Sequence, residues 1–467
     1  MLKVKFLGAA GQVTGSCYYL QTDGLNILVD CGLYQEREFL SRNWDPFPVS
    51  PEKIDYLLLT HAHLDHSGLI PKLVREGFKG KILCTAPTAE ILPIVLYDTA
   101  KLQEEDAEIK KKRHEKEGRR GPYPEVPLYT TADVDRVLPL VEPVDYDLPV
   151  SLSPELRVTF HEAGHILGSS IIEITGRTNG ETRKILFSGD LGQWNKPLVR
   201  DPETFAEADY VFLESTYGDR DHDHPEEVGE RLAENVNRAY QRRGNLVIPT
   251  FAIERAQELM YHLNQLVRDK KIPSLPVFLD SPMAVSVTNV FSHYLKYLDE
   301  ESRQLFASGQ NPFAFPGLQL IQSFEDSKKI QYVKGSAIIM AGSGMCTGGR
   351  IKQHLVNNIG RPESTILFVG YQARGTLGRQ ILEGQSPVRI YGQMYEVRAT
   401  VDQIQGFSAH ADRKQLLYWL SFFQRPPRKL FLVHGETEAI SHLATEVQMK
   451  LNWPVSVPQY LEEVILD

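Results

Sequence analysis

Leu57-Leu58-Leu59-Thr60-His61-Ala62-His63-Leu64-Asp65-His66 ends an apolar run abruptly and delivers four metal-type side chains within six positions. The short apolar run has no helical period and a turn signal behind it, which predicts a buried strand over Leu57 to Leu59. Residues two apart in extended chain point the same way, so His61 and His63 can reach one ion. The chain turns after Leu64, which aims Asp65 and His66 at a neighbouring point. Imidazoles and a carboxylate in this pattern suit Zn²⁺ at about 2.0–2.2 Å per ligand. A polar loop with accidental histidines does not account for three histidines and an aspartate clustered directly behind a buried strand.

The chain has 467 residues, enough for two or three domains, with 42% hydrophobic and 24% charged residues, an ordinary globular balance. No window approaches the ~20 apolar residues of a membrane span. Met1 to Leu7 alternates like a strand instead of resembling a signal peptide, so no membrane partner and a cytoplasmic location are expected. Cys17, Cys31, Cys84 and Cys346 form no CxxC pair, which argues against a thiolate zinc site or a disulfide framework. A net charge of −9 excludes an overall basic nucleic-acid coat but not a local positive cleft.

Two further apolar strands deliver ligand-type side chains. Leu156 to Phe160 leads to His165, and Lys184 to Phe187 leads to Asp190. The glycine-rich stretch Gly8 to Ser16 is a tight turn after the first strand, and Asp23-Gly24 sits between two apolar runs as a hairpin turn. Leu25 to Val29 reads as a strand that Asp30 ends as a turn former. A short helix is expected over Ser67 to Glu76, then a strand at Lys81 to Ala86. A long helix from Thr88 to Glu117 carries the basic run Lys110 to His114, a solvated face or a contact for a polyanion backbone. From Glu226 to Gly370 regular strand and helix alternation implies a parallel sheet covered by helices. Ligand-type residues then return at His410, with Asp412 a helix N-cap, and at His434 behind the strand Lys429 to Val433.

His61-Ala62-His63-Leu64-Asp65-His66 resembles the HxHxDH signature of the metallo-β-lactamase superfamily. Glu214 in Leu213-Glu214-Ser215-Thr216-Tyr217-Gly218, His410 in Phe407-Ser408-Ala409-His410-Ala411-Asp412 and His434 in Leu432-Val433-His434-Gly435-Glu436 resemble motifs A, B and C of its β-CASP nucleases. Gly8 to Ser16 resembles their glycine-rich first motif, and Asp30 stands where members often carry a supporting carboxylate. The resemblance covers nearly the whole chain. It implies an α/β fold, a metallo-β-lactamase αβ/βα sandwich (1–215 and 396–467) interrupted by an inserted β-CASP domain with a parallel sheet (216–395).

It further implies two Zn²⁺ per chain. His61, His63 and His165 would hold one, Asp65, His66 and His434 the other, and Asp190 would bridge them. Two such ions clamp a phosphodiester and lower the pKa of a shared water toward ~7. His410 would protonate the leaving oxygen, with Glu214 orienting it. The implied activity is hydrolysis of single-stranded RNA, endo- or exonucleolytic, in RNA processing or decay, leaving 5′-phosphate and 3′-hydroxyl. RNA over DNA rests on His434, since the DNA-processing branch has valine there. Arg350, Arg374 and Arg379, on polar glycine-rich segments at Gly342 to Arg350 and Gly370 to Arg379, are the candidates for RNA backbone contacts. Family relatives often have Gly-Arg where this chain has Glu254-Arg255. A small-molecule metallo-hydrolase would leave Glu214, His410 and the insertion unexplained, and a noncatalytic scaffold would not need all seven candidate ligands. A homodimer stays open.

Overall fold

The computed structural model describes residues 2–22, 24–118, 123–178, 180–222, 225–373 and 375–467. The chain forms two compact units. One comprises Met1–Asn195, Arg200–Asp221 and His410–Asp467; the other comprises Lys196–Val199 and His222–Ala409.

The first unit holds two seven-stranded sheets. In one, the order is Glu463–Leu466, Leu2–Phe6, Tyr18–Gln21, Asn26–Val29, Tyr56–Leu58, Lys81–Thr85 and Val141–Val144. In the other it is Val455–Ser456, Lys429–Val433, Tyr210–Glu214, Glu181–Phe187, Ser170–Thr178, Leu156–Glu162 and Val150–Ser153. Successive side chains on a strand point to opposite faces, so a continuous apolar strand must be covered on both sides. Leu58, Val29, Phe187, Phe212 and Phe431 point between the sheets into a shared core. Leu57 and Leu59 point outward with Leu73, Leu92 and Leu96 from the helices over the first sheet. Leu186, Val211, Leu213 and Leu432 point the other way, onto Leu416 and Trp419 of helix Arg413–Ser421 and Ile440 and Leu443 of helix Thr437–Leu451. The layers are therefore helix, sheet, sheet, helix, the expected αβ/βα sandwich. Phe187, Phe212 and Phe431 stack across the central layer with centroids 4.3 and 4.6 Å apart.

In the second unit a six-stranded sheet runs Leu318–Leu320, Val277–Asp280, Ile338–Ala341, Leu246–Pro249, Thr365–Phe368 and Thr400–Gln403, every pairing parallel. This matches the parallel inserted sheet expected from the alternation. The expected turn over Gly370 to Arg379 is only partly a turn. Helix Leu377–Leu382 starts inside it, because Thr376 accepts from the Arg379 N–H as an N-cap and leaves Arg379 on the first turn. The expected helix Ser67 to Glu76 is two short ones, Leu64–Ser67 and Ile70–Arg75. In the hairpin between Tyr18–Gln21 and Asn26–Val29, Asp23 lies outside the described residues. Lys110 to Arg113 of the basic run face solvent, with Lys110 and Lys112 paired to Asp106 and Glu108 one turn earlier, while His114 is buried against Glu125.

Candidate functional site

Every strand that carries a candidate residue ends at the same edge of the first unit. Tyr56–Leu58 delivers Thr60 to His66, Leu156–Glu162 delivers His165, Glu181–Phe187 delivers Asp190, Tyr210–Glu214 ends on Glu214, and Lys429–Val433 delivers His434. The glycine-rich turn closes under them. Ala9 C=O accepts from the His434 N–H at 2.8 Å, and the Ser16 N–H donates to Asp65 C=O at 2.8 Å. A Cβ on Gly8 would meet the Gly15 carbonyl oxygen at 1.8 Å, so that close crossing requires glycine.

His61 Nε2 lies 3.1 Å from His63 Nδ1, which lies 3.2 Å from His165 Nε2. Asp190 Oδ2 is 3.5 Å from the first and 3.4 Å from the last of these nitrogens. His66 Nε2 faces His434 Nε2 at 3.1 Å, and Asp190 Oδ1 is 3.2 Å from His66 Nε2 and 3.5 Å from His434 Nε2. Asp65 Oδ2 lies 3.7 Å from His434 Nε2. Asp190 thus turns one oxygen to each group. Four donors about 2.0–2.1 Å from a common centre at tetrahedral angles lie about 3.3–3.4 Å apart, the spacing seen here. Among the described residues, Asp190 Oδ1 is buried without a hydrogen-bond donor, and His165 Nδ1 is likewise buried without a partner. The donor set, nitrogen and carboxylate oxygen without thiolate, fits Zn²⁺.

The protonation pattern separates the two groups. Burial lowers His61 and His165 well below the usual imidazole range and His63 to about 4, so all three are neutral, lone-pair donors at neutral pH. Burial works the same way on His66 and His434, but carboxylates outweigh it: Asp190 and Asp30 for His66, Asp190 and Asp65 for His434. Asp65 is held down to about 2 against its burial by the hydrogen bond and charge of His434 and by His66.

His410 donates Nδ1–H to Glu214 Oε1 at 3.0 Å. The Glu214 oxygens also accept from the Leu191 and Thr216 N–H groups, at 2.9 and 3.1 Å, so the carboxylate is fixed on three donors. His410 Nδ1 is 3.8 Å from Asp190 Oδ2, and the ring centroid is 4.5 Å from that of His165. Glu214 therefore orients His410 beside the first donor group.

Three supporting residues escaped the sequence reading or were left ambiguous in it. Asp30, at φ +60°, accepts from Thr60 N and Oγ1 and lies 2.6 Å from His66 Nδ1. Thr60 Oγ1 also lies 3.1 Å from His61 Nδ1, and Thr216 Oγ1 lies 3.2 Å from His434 Nδ1. The available signal was a hydroxyl or carboxylate one or two positions from a ligand-type residue or strand end, which is where the second nitrogen of a metal-bound imidazole finds its partner.

Residues 10–224 match the metallo-β-lactamase superfamily, 256–381 the Beta-Casp domain, and 394–458 the Zn-dependent metallo-hydrolase RNA specificity domain. A ribonuclease of Thermus thermophilus, TTHA0252, is 38% identical over 94% of this chain and 94% of its own. The chain belongs to the β-CASP family of the metallo-β-lactamase superfamily. Another similar protein is the transcription termination factor FttA of Methanosarcina mazei, 32% identical over all of this chain and 72% of its own. The fold also matches the crystal structure of a protein of unknown function from Enterococcus faecalis V583, with TM-score 0.54 and 14% identity over 99% of both chains. Among the described residues no helix is long and apolar enough to cross a membrane.

In this β-CASP protein two of the candidate RNA-contact arginines, Arg350 and Arg379, are described in the second unit, both already engaged. Arg350 donates to Asp280 at 2.7 Å and to the Gln322 carbonyl at 2.7 Å. Arg379 donates to Glu383 at 2.6 Å. Arg374 lies outside the described residues. The Glu254 carboxylate, at φ +63°, stands beside Arg255, which pairs with Glu258 at 2.9 Å.

Proposed function

We propose that the protein is a two-zinc ribonuclease that hydrolyses single-stranded RNA to 5′-phosphate and 3′-hydroxyl ends. The observation that carries this reading is the Glu214–His410 pair set beside an aspartate that turns one oxygen to each of two donor groups. A small-molecule hydrolase needs the donors but not that pair. A relative named a ribonuclease along almost its whole length, and the match to an RNA specificity domain, favour RNA as the substrate. The same reading takes 1–215 and 396–467 as the metallo-hydrolase domain and 216–395 as the insertion.

His61, His63 and His165 would hold one zinc, Asp65, His66 and His434 the other, with Asp190 between them. Zinc held there would supply Lewis-acid polarisation of the phosphodiester and a water nucleophile at neutral pH. Asp30, Thr60 and Thr216 fix the liganding imidazoles through their outer nitrogens. Water adds at phosphorus and gives up a proton, the P–O3′ bond breaks, the leaving oxygen takes a proton from His410 Nε2, and the proton lost by the water returns His410 to its charged form through solvent. Glu214 holds the opposite nitrogen, so the ring stays aimed and its charge stays balanced. Arg350 and Arg379 are the proposed backbone-phosphate contacts, in competition with Asp280 and Glu383.

The test is cleavage of a labelled single-stranded RNA and its matched DNA by wild type and His410→Ala, with zinc content measured on both. RNA cleavage to 5′-phosphate products, slowed about 10²–10⁴-fold in a variant that keeps its zinc, is expected. Zinc-loaded wild type that cuts neither polymer overturns the reading, and esters and thioesters become the substrates to try.

A further inference from the structure

The site edge continues onto a surface that the ligands do not use. Gly192 bridges to His410 in antiparallel fashion, and the Ala411 N–H donates to Leu191 C=O at 2.7 Å, so the loop after Asp190 lies along the chain that enters helix Arg413–Ser421. That loop ends in Trp194, whose ring meets Tyr418 on the helix edge-on, centroids 5.2 Å apart. Tyr418 in turn meets Phe422 at 4.9 Å. Lys414, Tyr418 and Phe422 are spaced i, i+4, i+8, a single stripe with about 6 Å between successive members along the axis.

The stripe is open. Tyr418 is 52% and Phe422 38% exposed, Trp194 is half-buried, and the Lys414 side chain is 70% exposed. Lys414 shares the single carboxylate of Asp221 with Arg413, at 2.8 and 3.1 Å, at the end of the stripe nearest His410. Ser421, Gln424 and Arg425 beside the rings are exposed and polar, so the apolar area is two ring faces wide. That is far below the ~800 Å² per partner of a stable protein interface. Aromatic faces behind a surface cation, continuous with a phosphodiester site, have the features by which proteins hold unpaired bases.

We propose that Trp194, Tyr418 and Phe422 form a stacking platform for bases of single-stranded RNA leading out of the candidate active site, with Lys414 on the backbone phosphate. The assignment rests on the ribonuclease reading above and adds to it where the strand runs. It makes the substrate an unpaired strand, because bases held in a duplex offer no free face to the rings.

The test is binding in the zinc-loaded His410→Ala background, which keeps the strand intact. The probes are an oligoadenylate and an abasic oligomer of equal length, followed by Trp194 fluorescence with Trp194→Phe as control. Oligoadenylate is expected to bind more tightly than the abasic strand and to quench Trp194. Tyr418→Ala with Phe422→Ala should weaken oligoadenylate about fivefold or more per lost ring and erase the preference over the abasic strand. Tyr418→Trp should restore it, and Lys414→Ala should lower the salt dependence by about one phosphate contact. Both rings are exposed, and unchanged thermal melting checks that the fold survives. Wild type that cuts RNA while the double alanine variant binds oligoadenylate normally overturns the platform and spares the nuclease reading. A change in oligomeric state with no change in RNA affinity also overturns it, by giving the surface to a second copy. Wild type that neither binds nor cuts RNA overturns both.

Discussion

Asp30 Oδ2 lies 2.6 Å from His66 Nδ1, while the opposite nitrogen of that ring faces His434 and Asp190. The contact fixes which nitrogen of His66 is free to bind a metal and how the ring is turned. Asp30→Ala should therefore weaken zinc at the second donor group by about 10–100-fold, and less at the first, which Asp30 reaches only through Thr60. Titration against a chromogenic chelator, read as one tight and one weakened equivalent, checks it. Two equivalents released together would count against separate sites.

Burial alone would lower His410, but Glu214 and then Asp190 outweigh it and push the imidazole up to about 9. An acid must carry its proton to act, so kcat/KM should fall as pH rises through that region. Glu214→Gln removes the nearer charge, lets burial dominate, and should move the alkaline limb down by more than one unit. A limb that stays in place in Glu214→Gln would detach His410 from proton donation.

A Cβ on Gly192 would lie 1.8 Å from the carbonyl oxygen and 2.0 Å from the carbonyl carbon of Gly164, both backbone atoms with no freedom to swing away. Gly192→Ala must therefore push the loop of Asp190 from the loop of His165. The expected cost is more than ~2 kcal/mol of stability together with loss of bound zinc, measured by urea unfolding and metal analysis. A stable, fully loaded variant would show that the two loops move independently.

Glu162 accepts from the Gly164 N–H at 2.9 Å in the turn that leads to His165. Burial pushes its carboxyl up to about 8 in spite of that hydrogen bond and of Arg200. The folded pKa stands above the unfolded one of ~4.3, so the native state favours the neutral acid. Its contribution is complete below about pH 4 and is lost as pH rises toward about 8, at most ~1.4 kcal/mol per unit. Glu162→Gln, permanently neutral, should gain several degrees in Tm over wild type between pH 5 and 8. A difference that does not change with pH would remove the titration from the account.

The sandwich was legible because its strands are apolar on both faces and stop at ligand-type residues: Leu57 to Leu59 before His61, Lys429 to Val433 before His434. Each motif announced itself by a sharp change from oil to metal donor. The strand Ser170–Thr178 was not read, because its run of isoleucines follows the conspicuous His165 loop and carries no donor at its end. The partnership of Thr60 and Asp30 was equally hidden, since it joins residues thirty apart through strands whose register only the fold provides. The second-unit arginines show the converse. Arg350 and Arg379 are easily picked out, but nothing in sequence announces that Asp280 holds the first, and the turn expected over Gly370 to Arg379 hid the one-turn spacing that pairs the second with Glu383.

The donors gathered at one sheet edge lie on both sides of a long insertion, with His222–Ala409 of the second unit written between Glu214 and His434. A ribosome that has released His61 to Asp190 must still synthesise that unit before His434 emerges, on the order of ten seconds or more at ~5–20 residues per second. The growing chain lacks His434 for all of that interval and His410 for nearly all of it. On the ribonuclease reading, translation order itself acts as a safety catch: the nascent enzyme stays unarmed beside its own messenger until the codons for His410 and His434 have been read.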